Sequence, residues 1–389
     1  MFCGGESSGH NDLGDVERAQ GFKWIRPLRA HNADHYDGQE SRDQSTRTMT
    51  TIFEEEMRSQ AEILRLRESS GRDQARSAAR AWRGVTHTVL GARGSSDNAA
   101  LFFEYLAGRE LGVLVALAAP SLYEGGNRID LSGAGVLVIS QSGRSPGIGE
   151  ILQQAIDQGR PNAVITNDPT SPLAQKGQTV MHLGAGVERA VASTKTLTSS
   201  WHALAQFVEA LKGGPLQGLD QLPHVVERVT EWSLSATLPV DTLNAERGLT
   251  VVGRGIGFAV ASEISLKLRE VTGVRAESYA VSDFAHGPIG ADGRDATLLL
   301  VVTEEMTDEL CDLTLRGCRR AGMRTVVLRP VSRTGLECDE EIVLDEELPN
   351  WSLGVAQVVV GQALALRLGE RRGRPIDTSP GLSKITLDV

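Results

Sequence analysis

Cysteine is scarce in this chain of 389 residues, which has only Cys3, Cys311, Cys318 and Cys338. Their spacing matches neither a zinc-binding pair nor a disulfide framework. Long apolar runs are lacking as well, because no stretch approaches the ~18 consecutive apolar residues that a membrane-spanning helix needs. The first thirty residues contain no apolar signal core. The sequence therefore predicts a soluble, cytoplasmic protein with no membrane partner.

Basic side chains are outnumbered by acidic ones, 40 against 50, and the formal charge is -10. Because the chain has no basic run, nucleic acid is not expected as a main partner. Lysine is especially rare, with only Lys23, Lys176, Lys195, Lys212, Lys267 and Lys384. Each lysine is of interest, because a site that needs a neutralisable amine cannot use arginine in its place.

The order of apolar segments predicts an α/β protein. Residues 1–48 are polar and have no helical or strand period, so a disordered leader is expected there. A helical segment is predicted over residues 49–84. From residue 85, apolar strands alternate with helices, which favours parallel sheets built from βαβ units.

This pattern occurs twice in the chain. The segment TVLGARGSSDNAALFFEYLAGRELGVLV matches TVVGRGIGFAVASEISLKLREVTGVRAE in its order of strand, Gly-Arg-Gly turn, helix and strand. We therefore predict two related subdomains over residues 85–215 and 225–370, with a C-terminal tail at 371–389. The second copy has Thr-Glu-Glu where the first has Ser-Gln-Ser-Gly, so one anion site is expected rather than two.

The segment Ser140–Ser145 follows an apolar strand and precedes a helix. Hydroxyls and backbone N–H groups at a helix N-terminus suit a phosphate group. An ordinary serine-rich helix cap is the alternative, but three hydroxyls and a glycine in six residues favour the anion site. Gly94-Ser95-Ser96 opens the preceding strand-to-helix turn and is a weaker signal of the same kind.

Charged side chains recur on one predicted helix, Ala261–Val271. Glu263, Lys267 and Glu270 stand at i, i+4 and i+7, which places them on one face. A solvated helix face explains this spacing equally well. His286 lies in a turn sixteen residues later, and histidine is the usual general acid–base near neutral pH.

Taken together, these motifs resemble the sugar isomerase (SIS) family, at the level of the isomerase half of glutamine–fructose-6-phosphate aminotransferase. Five motifs occur in the family's order between Gly91 and Val389. They are Gly94-Ser95-Ser96, Ser140–Ser145, Val191–Lys195, Glu263–Glu270 with His286, and Ser383-Lys384. The resemblance implies two flavodoxin-like SIS subdomains, each a three-layer αβα sandwich, in a homodimer with its sites near the subunit interface.

The resemblance also implies ligand positions and an absence of cofactors. The implied phosphate and sugar ligands are Ser95, Ser96, Ser140, Gln141, Ser142, Ser145, Val191, Ala192 and Ser193. No metal ion and no organic cofactor is implied, and the expected partner is a small-molecule sugar phosphate.

Five further residues match the catalytic positions of the family. Glu270 corresponds to the glutamate that moves a proton between C1 and C2, and Lys267 and Glu263 correspond to its helix partners. His286 corresponds to the histidine that opens the pyranose ring, in dimeric members also in the neighbouring subunit's site. Lys384 corresponds to a C-terminal lysine that contacts the open sugar and can form an imine with its ketone.

Two departures from the aminotransferase favour a different branch of the family. Arg144 stands where the aminotransferase has an acidic residue, and too few residues precede Gly91 for a glutaminase domain. The sequence is more similar to single-module glucosamine-6-phosphate deaminases, which predicts conversion of glucosamine 6-phosphate to fructose 6-phosphate and ammonia. The alternatives are an aminotransferase isomerase module with another ammonia source, a different aldose–ketose isomerase, and a non-catalytic sugar-phosphate sensor.

Overall fold

A computed structural model describes residues 50–244, 247–291, 293–345, 347–381 and 384. The leader predicted over residues 1–48 lies outside the described residues. The strands are His87–Gly91 (β1), Leu114–Leu117 (β2), Ala134–Ile139 (β3), Asn162–Thr166 (β4), Thr179–His182 (β5), Leu249–Gly253 (β6), Ala276–Ala280 (β7), Thr297–Val301 (β8), Arg324–Pro330 (β9) and Glu340–Leu344 (β10).

Helices connect these strands, as the alternation in the sequence predicts. The α-helices are Ile52–Ala81 (α1), Ser95–Leu111 (α2), Pro146–Asp157 (α3), Pro172–Lys176 (α4), Lys195–Lys212 (α5), Leu222–Ser235 (α6), Val240–Leu243 (α7), Ile256–Lys267 (α8), Val281–Ala285 (α9), Pro288–Ala291 (α10), Asp308–Ala321 (α11) and Asn350–Arg371 (α12). A short 3₁₀ turn covers Pro120–Leu122, and a π-helical turn covers Leu268–Thr272.

Two five-stranded sheets have the same topology. The first has the order β2-β1-β3-β4-β5 and the second β10-β9-β8-β6-β7, which is the same order followed from the other edge. All eight strand pairs in these sheets are parallel. The predicted α/β fold with two flavodoxin-like subdomains is confirmed, and so is the internal repeat.

The glycines before α2 and α8 show the repeat at the level of the backbone. Gly94 has φ 61° and ψ -130°, and Gly255 has φ 57° and ψ -129°. These values lie outside the regions open to residues with a Cβ atom, so the turns Gly91-Ala92-Arg93-Gly94 and Gly253-Arg254-Gly255 each require their last glycine. The two turns therefore direct their chains into α2 and α8 in the same way.

The central strands of each sheet are buried on both faces, as is typical of parallel sheets. Alternate residues of the strands face different cores. In β3, for example, Leu137 and Ile139 belong to a central core, while Val136 and Val138 pack with α3. The central core also contains side chains from α1, α2, α5, α6, α8 and α12. The other face of the second sheet packs with α11.

One helix in the described part of the chain, α12, is long and apolar enough to cross a membrane by length and composition. In the most apolar 18-residue stretch of this helix, 94% is buried inside the fold. This helix packs against α8 and α6 in the central core. Its apolar surface is therefore used for packing between the two sheets.

The predicted helix Ala261–Val271 differs from the structure at both ends. The α-helix begins earlier, at Ile256, and ends at Lys267, and the π-helical turn follows it. Glu270 consequently lies in the π-helical turn. A π-helical turn widens the spacing between successive turns, and such turns are frequent at functional sites. The side chains of Lys267 and Glu270 nevertheless form an ion pair.

Candidate active site

The predicted phosphate ligands lie at the carboxyl edge of the first sheet. The strand order reverses at β1 and β3, which are parallel neighbours with Gly91 opposite Val138: β2 is added on one side of β1, and β3, β4 and β5 follow on the other. In doubly wound sheets, ligands bind at this kind of switch point, outside the carboxyl ends of the strands. The turns that follow β1 and β3 carry Ser95-Ser96 and Ser140–Ser145, so the fold brings both hydroxyl-rich motifs to one edge.

The loop after β3 is folded around its own serine hydroxyls. The Oγ of Ser140 lies 3.0 Å from the Oγ of Ser145 and accepts a hydrogen bond from the Gly143 N–H at 3.1 Å. Gly143 has φ +63°, and a Cβ atom there would lie 1.9 Å from the Ser171 hydroxyl. Only glycine fits this turn. The loop thus places Ser145 as the N-cap of α3, where backbone donors favour an anion.

Two members of this loop remain accessible. Gln141 and Ser142 are half-buried, and the Ser142 Oγ accepts a hydrogen bond from the Arg144 N–H at 3.3 Å. The Arg144 side chain is bound elsewhere, to Asp168 at 3.0 Å. Sequence analysis did not identify Asp168, whose pKa is lowered chiefly by hydrogen bonds from Thr170 and also by Arg144.

Glu263 and Lys267 form a buried ion pair on α8. Their side chains are 0% and 1% exposed, and the Lys267 Nζ lies 3.4 Å from a Glu263 carboxylate oxygen. Lys267 also pairs with Glu270, whose side chain is 18% exposed. The alternative of a solvated helix face is therefore wrong. Among these three residues, Glu270 is the one with a carboxylate that solvent or a ligand can reach.

The electrostatics of this cluster follow from burial and from opposite charges. Burial favours the neutral form of Lys267, but Glu270 and Glu263 outweigh it, so the pKa of Lys267 is raised. Burial raises the pKa of Glu263, with Lys267 and the Asn98 amide acting against that effect. Lys267 is therefore a fixed ammonium between two carboxyl groups.

Hydrogen bonds join this cluster to the edge of the first sheet. The Ser95 hydroxyl donates to Glu263 Oε1 at 3.1 Å, and the Asn98 amide donates to Glu263 Oε2 at 2.7 Å. The hydroxyl proton of Ser95 is therefore engaged in the hydrogen bond to Glu263. Ser96, one position further along α2, is half-buried. The turn after β1 and the helix α8 consequently belong to one site, although they come from different sheets.

The loop before α5 contains a buried carboxylate that sequence analysis missed. Glu188 is 4% exposed as a residue and accepts hydrogen bonds from the backbone N–H groups of Thr194 at 2.8 Å and Thr196 at 3.1 Å. Its other oxygen lies 2.8 Å from the Lys384 Nζ. Glu188 also contributes to raising the pKa of Lys267. A glutamate inside the motif GVERAVASTK was the available signal.

The predicted sugar-contacting loop is tied to the C-terminal segment. The Val191 N–H donates to the Asp377 carbonyl at 3.1 Å, and the Lys384 Nζ lies 3.4 Å from the Val191 carbonyl. Ala192 is buried, and Ser193 is half-buried. The alternative of a frayed tail is therefore wrong for Lys384.

Lys195 and His286, which the sequence also singled out, make no ion pair or hydrogen bond with Glu263, Lys267 or Glu270 among the residues that the structure describes. Lys195 is buried, donates to the Val187 carbonyl at 2.8 Å and faces Glu56 at 3.6 Å, so it supports the loop. His286 is exposed at the end of α9. Within the described part of the chain, no hydrogen bond or ion pair joins the His286 imidazole to Glu270.

The corresponding edge of the second sheet is filled by a carboxylate. Glu305 accepts hydrogen bonds from Arg109 at 3.2 Å, from Thr303 at 2.9 Å and from the Asn350 amide. A Cβ atom on Gly255 would lie 2.8 Å from the Glu305 carboxyl carbon, so this side chain covers the turn before α8. A cleft of about 780 Å³ adjoins this edge. In the second sheet, the Glu305 carboxylate occupies the edge that corresponds to the serine-rich edge of the first sheet.

Comparisons with known proteins agree with this geometry. Residues 84–210 match the SIS domain. Glutamine–fructose-6-phosphate aminotransferase [isomerizing] from Streptococcus pyogenes serotype M3 is 30% identical over 266 residues, which cover 64% of this chain and 42% of that protein. The corresponding enzyme of Lactiplantibacillus plantarum is 29% identical over 265 residues. The chain thus spans about two fifths of the length of these curated relatives.

Solved structures extend the likeness over most of the chain. The C-terminal domain of glucosamine-fructose-6-phosphate aminotransferase from Francisella tularensis has a TM-score of 0.72 at 21% identity, covering 86% of this chain and 100% of that one. Glucosamine-6-phosphate deaminase from Thermotoga maritima has a TM-score of 0.66 at 16% identity, covering 87% and 100%. The chain therefore carries an SIS domain at residues 84–210, and its two sheets have the two-subdomain fold of the SIS phosphosugar isomerases.

Proposed function

We propose that this chain converts an amino-sugar phosphate to a ketose phosphate and ammonia, with glucosamine 6-phosphate as the substrate and fructose 6-phosphate as the product. One observation carries the proposal. A partly exposed carboxylate, Glu270, is held by a buried ammonium, Lys267, beside an edge whose hydroxyl loops suit a phosphate. This arrangement provides both a base and an anchor for a phosphorylated sugar.

The anchor would be the loop 140–145. The half-buried Ser142 and Gln141 would hydrogen-bond the phosphate together with the first N–H groups of α3. Charge-assisted hydrogen bonds of this kind are about twice as strong as neutral ones. Fixing the phosphate would bring C1 and C2 of the sugar towards Glu270, which replaces a random encounter by a defined geometry.

The chemistry would begin with ring opening, assisted by His286, which gives the C1 aldehyde. Glu270 would then remove the proton from C2 to form a cis-enolamine and return it to C1. The C1 oxygen gains a proton as the enolamine forms, and the nitrogen loses one as C1 is protonated, so the transfer converts the aldehyde to a C1 hydroxymethyl group and the C2 amine to an imine. Water adds to the C2 imine and ammonia leaves, so the ketose phosphate is formed without net oxidation or reduction.

We also propose that the active form is a homodimer. His286 is exposed, and no described contact brings it to Glu270 of its own chain. A dimer in which His286 reaches the partner's site would supply the ring-opening group that one chain alone leaves apart. The C₂ symmetry of such a dimer would complete both sites at once.

The test is to incubate purified protein with a panel of hexosamine 6-phosphates and the matching neutral hexose 6-phosphates, and to measure ammonia and ketose phosphate together. Equal amounts of ammonia and ketose phosphate from one hexosamine 6-phosphate would support the proposal. The reaction run in D₂O should place deuterium at C1 of the product whenever the base exchanges with solvent.

Other results of the same panel would identify the alternatives. Ketose formation from a neutral hexose phosphate, without ammonia, would indicate an aldose–ketose isomerase. Ammonia-dependent formation of a hexosamine phosphate, with no deamination, would indicate an aminotransferase isomerase module. Tight binding of a sugar phosphate without any turnover would indicate a sensor.

A further inference from the structure

Glu188 connects the C-terminal segment to the loop at the proposed site. We propose that Glu188 is a positioning residue, which fixes the Lys384 amine at the sugar-contacting loop through a buried ion pair. The Glu188 side chain is 0% exposed, and its distance to the Lys384 Nζ is 2.8 Å. Lys384 and Glu188 are 196 residues apart in the sequence.

The surroundings of Glu188 make it dependent on Lys384. One carboxylate oxygen accepts two backbone N–H groups, from Thr194 and Thr196. The other accepts from the Thr196 hydroxyl and from Lys384. Among the described contacts, Lys384 is the cation that pairs with this buried carboxylate. A buried charge is strongly unfavourable without a partner, so the ion pair is what allows Glu188 to remain ionised.

The pKa of Glu188 is consistent with this dependence. Burial opposes ionisation and is the largest influence, but Lys384 and the threonine donors outweigh it and lower the pKa. The negative charge of Glu188 also helps to raise the pKa of Lys267 on α8. Glu188 therefore acts electrostatically on both amines of the proposed site, and it is hydrogen-bonded to the one from the tail.

The pair leaves Lys384 available to a ligand. Its side chain is 22% exposed, and the Nζ also lies 3.4 Å from the Val191 carbonyl in the loop predicted to contact the sugar. The consequence for turnover rests on the proposed function, because it requires a sugar in that loop. The position of Lys384 does not require it, since the contacts that hold this side chain are present in the free protein.

The test is competitive labelling of the full chain with trace acetic anhydride at neutral pH, because an amine held in an ion pair must leave its partner before it can attack the anhydride. Six lysines make every site resolvable by mass spectrometry. Lys176, which is exposed and donates to Gln153 at 3.2 Å, serves as the internal reference. In the wild type, Lys384 should react at least about tenfold more slowly than Lys176, since its Nζ is bound to Glu188 and a hydrogen bond to a charged group contributes about 1.5–3 kcal/mol.

In Glu188→Gln, the reaction of Lys384 should rise to within about threefold of that of Lys176, because the carboxylate that holds its Nζ in place is gone. Glu188→Asp keeps the charge and should give an intermediate rate. Equal labelling of Lys384 in the wild type and in Glu188→Gln would overturn the proposal, and so would an Asp variant that reacts faster than the Gln variant.

Glu56→Gln is the matched control. Glu56 is a second buried glutamate at the same loop, where it accepts from the Arg189 N–H at 2.6 Å and faces Lys195. This variant should leave the labelling of Lys384 unchanged. If it exposes Lys384 as much as Glu188→Gln does, loosening of the loop explains the effect and the proposal is wrong.

If the Glu188→Gln protein does not fold, a second variant, Lys384→Met, tests the same proposal. Lys384→Met removes the ammonium from the tail side, and hydrogen exchange across residues 371–381 should then be at least about tenfold faster. Unchanged exchange would overturn the proposal. Neither labelling nor exchange needs turnover, so a chain that fails the sugar-phosphate panel can still confirm or refute the role of Glu188.

Discussion

Glu270 owes its position to a lysine that no solvent reaches. Lys267 is 1% exposed and pairs with both Glu263 and Glu270. The ion pair therefore fixes the direction of the Glu270 carboxylate from its buried side. A flexible surface glutamate would have to be ordered by the substrate. Here the ordering is already present in the free protein, which suits the general-base role proposed for Glu270.

Glu270→Gln tests this residue directly. The amide preserves the shape and one hydrogen-bond acceptor but cannot take a proton from C2. We expect turnover to fall by about 10²–10⁴, with little change in substrate affinity. Steady-state kinetics with the best substrate of the panel, together with a direct binding measurement, provide the check. A variant with near wild-type turnover would show that Glu270 is not the base.

The loop between β3 and α3 carries the second residue-level prediction. Ser142→Ala removes a half-buried hydroxyl proposed to bind the phosphate, while Ser140, which supports the loop through Gly143, stays in place. A hydrogen bond to a charged group contributes about 1.5–3 kcal/mol, so KM should rise by at least about tenfold. Ser235→Ala, an exposed serine at the end of α6, is the control. An unchanged KM would place the phosphate elsewhere.

Among the elements, α1 and α5 pack most extensively and enclose a buried histidine. His202 on α5 is 2% exposed, and its Nε2 lies 3.4 Å from the Gln206 amide. Burial is the main cause that lowers the pKa of His202 to about 4, and the nearby cations Arg72 and Arg67 add to it. This helix pair is therefore built around a neutral imidazole.

The pH dependence of stability follows from that value. Because the folded pKa is about 4 and the ordinary value is 6.5, the unfolded chain binds the proton first as pH falls. Stability is therefore complete above about pH 6.5 and is lost as pH falls towards 4, by about 3 kcal/mol in total.

Chemical denaturation between pH 7 and 4.5 measures this loss. In His202→Gln, the decrease over that interval should be smaller than in the wild type, because no proton is taken up at this position. His182→Gln is a weaker comparison, since His182 is only half-buried. Equal pH dependence in the wild type and in His202→Gln would show that other groups control acid stability.

At the scale of the whole molecule, the two sheets share a topology and differ in what fills their switch points. In the first sheet, serine hydroxyls surround the turn into α3. In the second, Glu305 lies over Gly255 and is held by Arg109. A bound anion there would meet a fixed negative charge. The expectation of one anion site is in accord with this carboxylate.

The proposed dimer gives a prediction at the same scale. Glu270→Gln and His286→Asn would each inactivate a site, but from different chains if His286 acts on the partner's site. Mixing the two inactive variants in equal amounts, after subunit exchange, should restore about a quarter of wild-type activity, because half of the dimers are mixed and each has one intact site. No recovery, with exchange verified by mass, would place His286 in the site of its own chain or outside the reaction.

Local patterns in the sequence determined much of this protein. Alternating strands and helices predicted the two parallel sheets. The Arg-Gly turns predicted the repeat, which the backbone angles of Gly94 and Gly255 confirm. These features depend on a few neighbouring residues, whose periods and turn preferences can be read directly. The i, i+4 and i+7 spacing likewise indicated that Lys267 and its two glutamates share a face.

Only the tertiary structure decided which of these residues are partners. Ser95 meets Glu263 across 168 positions of sequence, and Lys384 meets Glu188 across 196. No local period encodes such contacts, because they arise when the two sheets enclose one core and the tail folds back on it. Burial decides the rest: the same spacing on α8 would be a solvated salt bridge on an exposed helix, and it becomes a fixed charge cluster because packing removes water from Glu263 and Lys267.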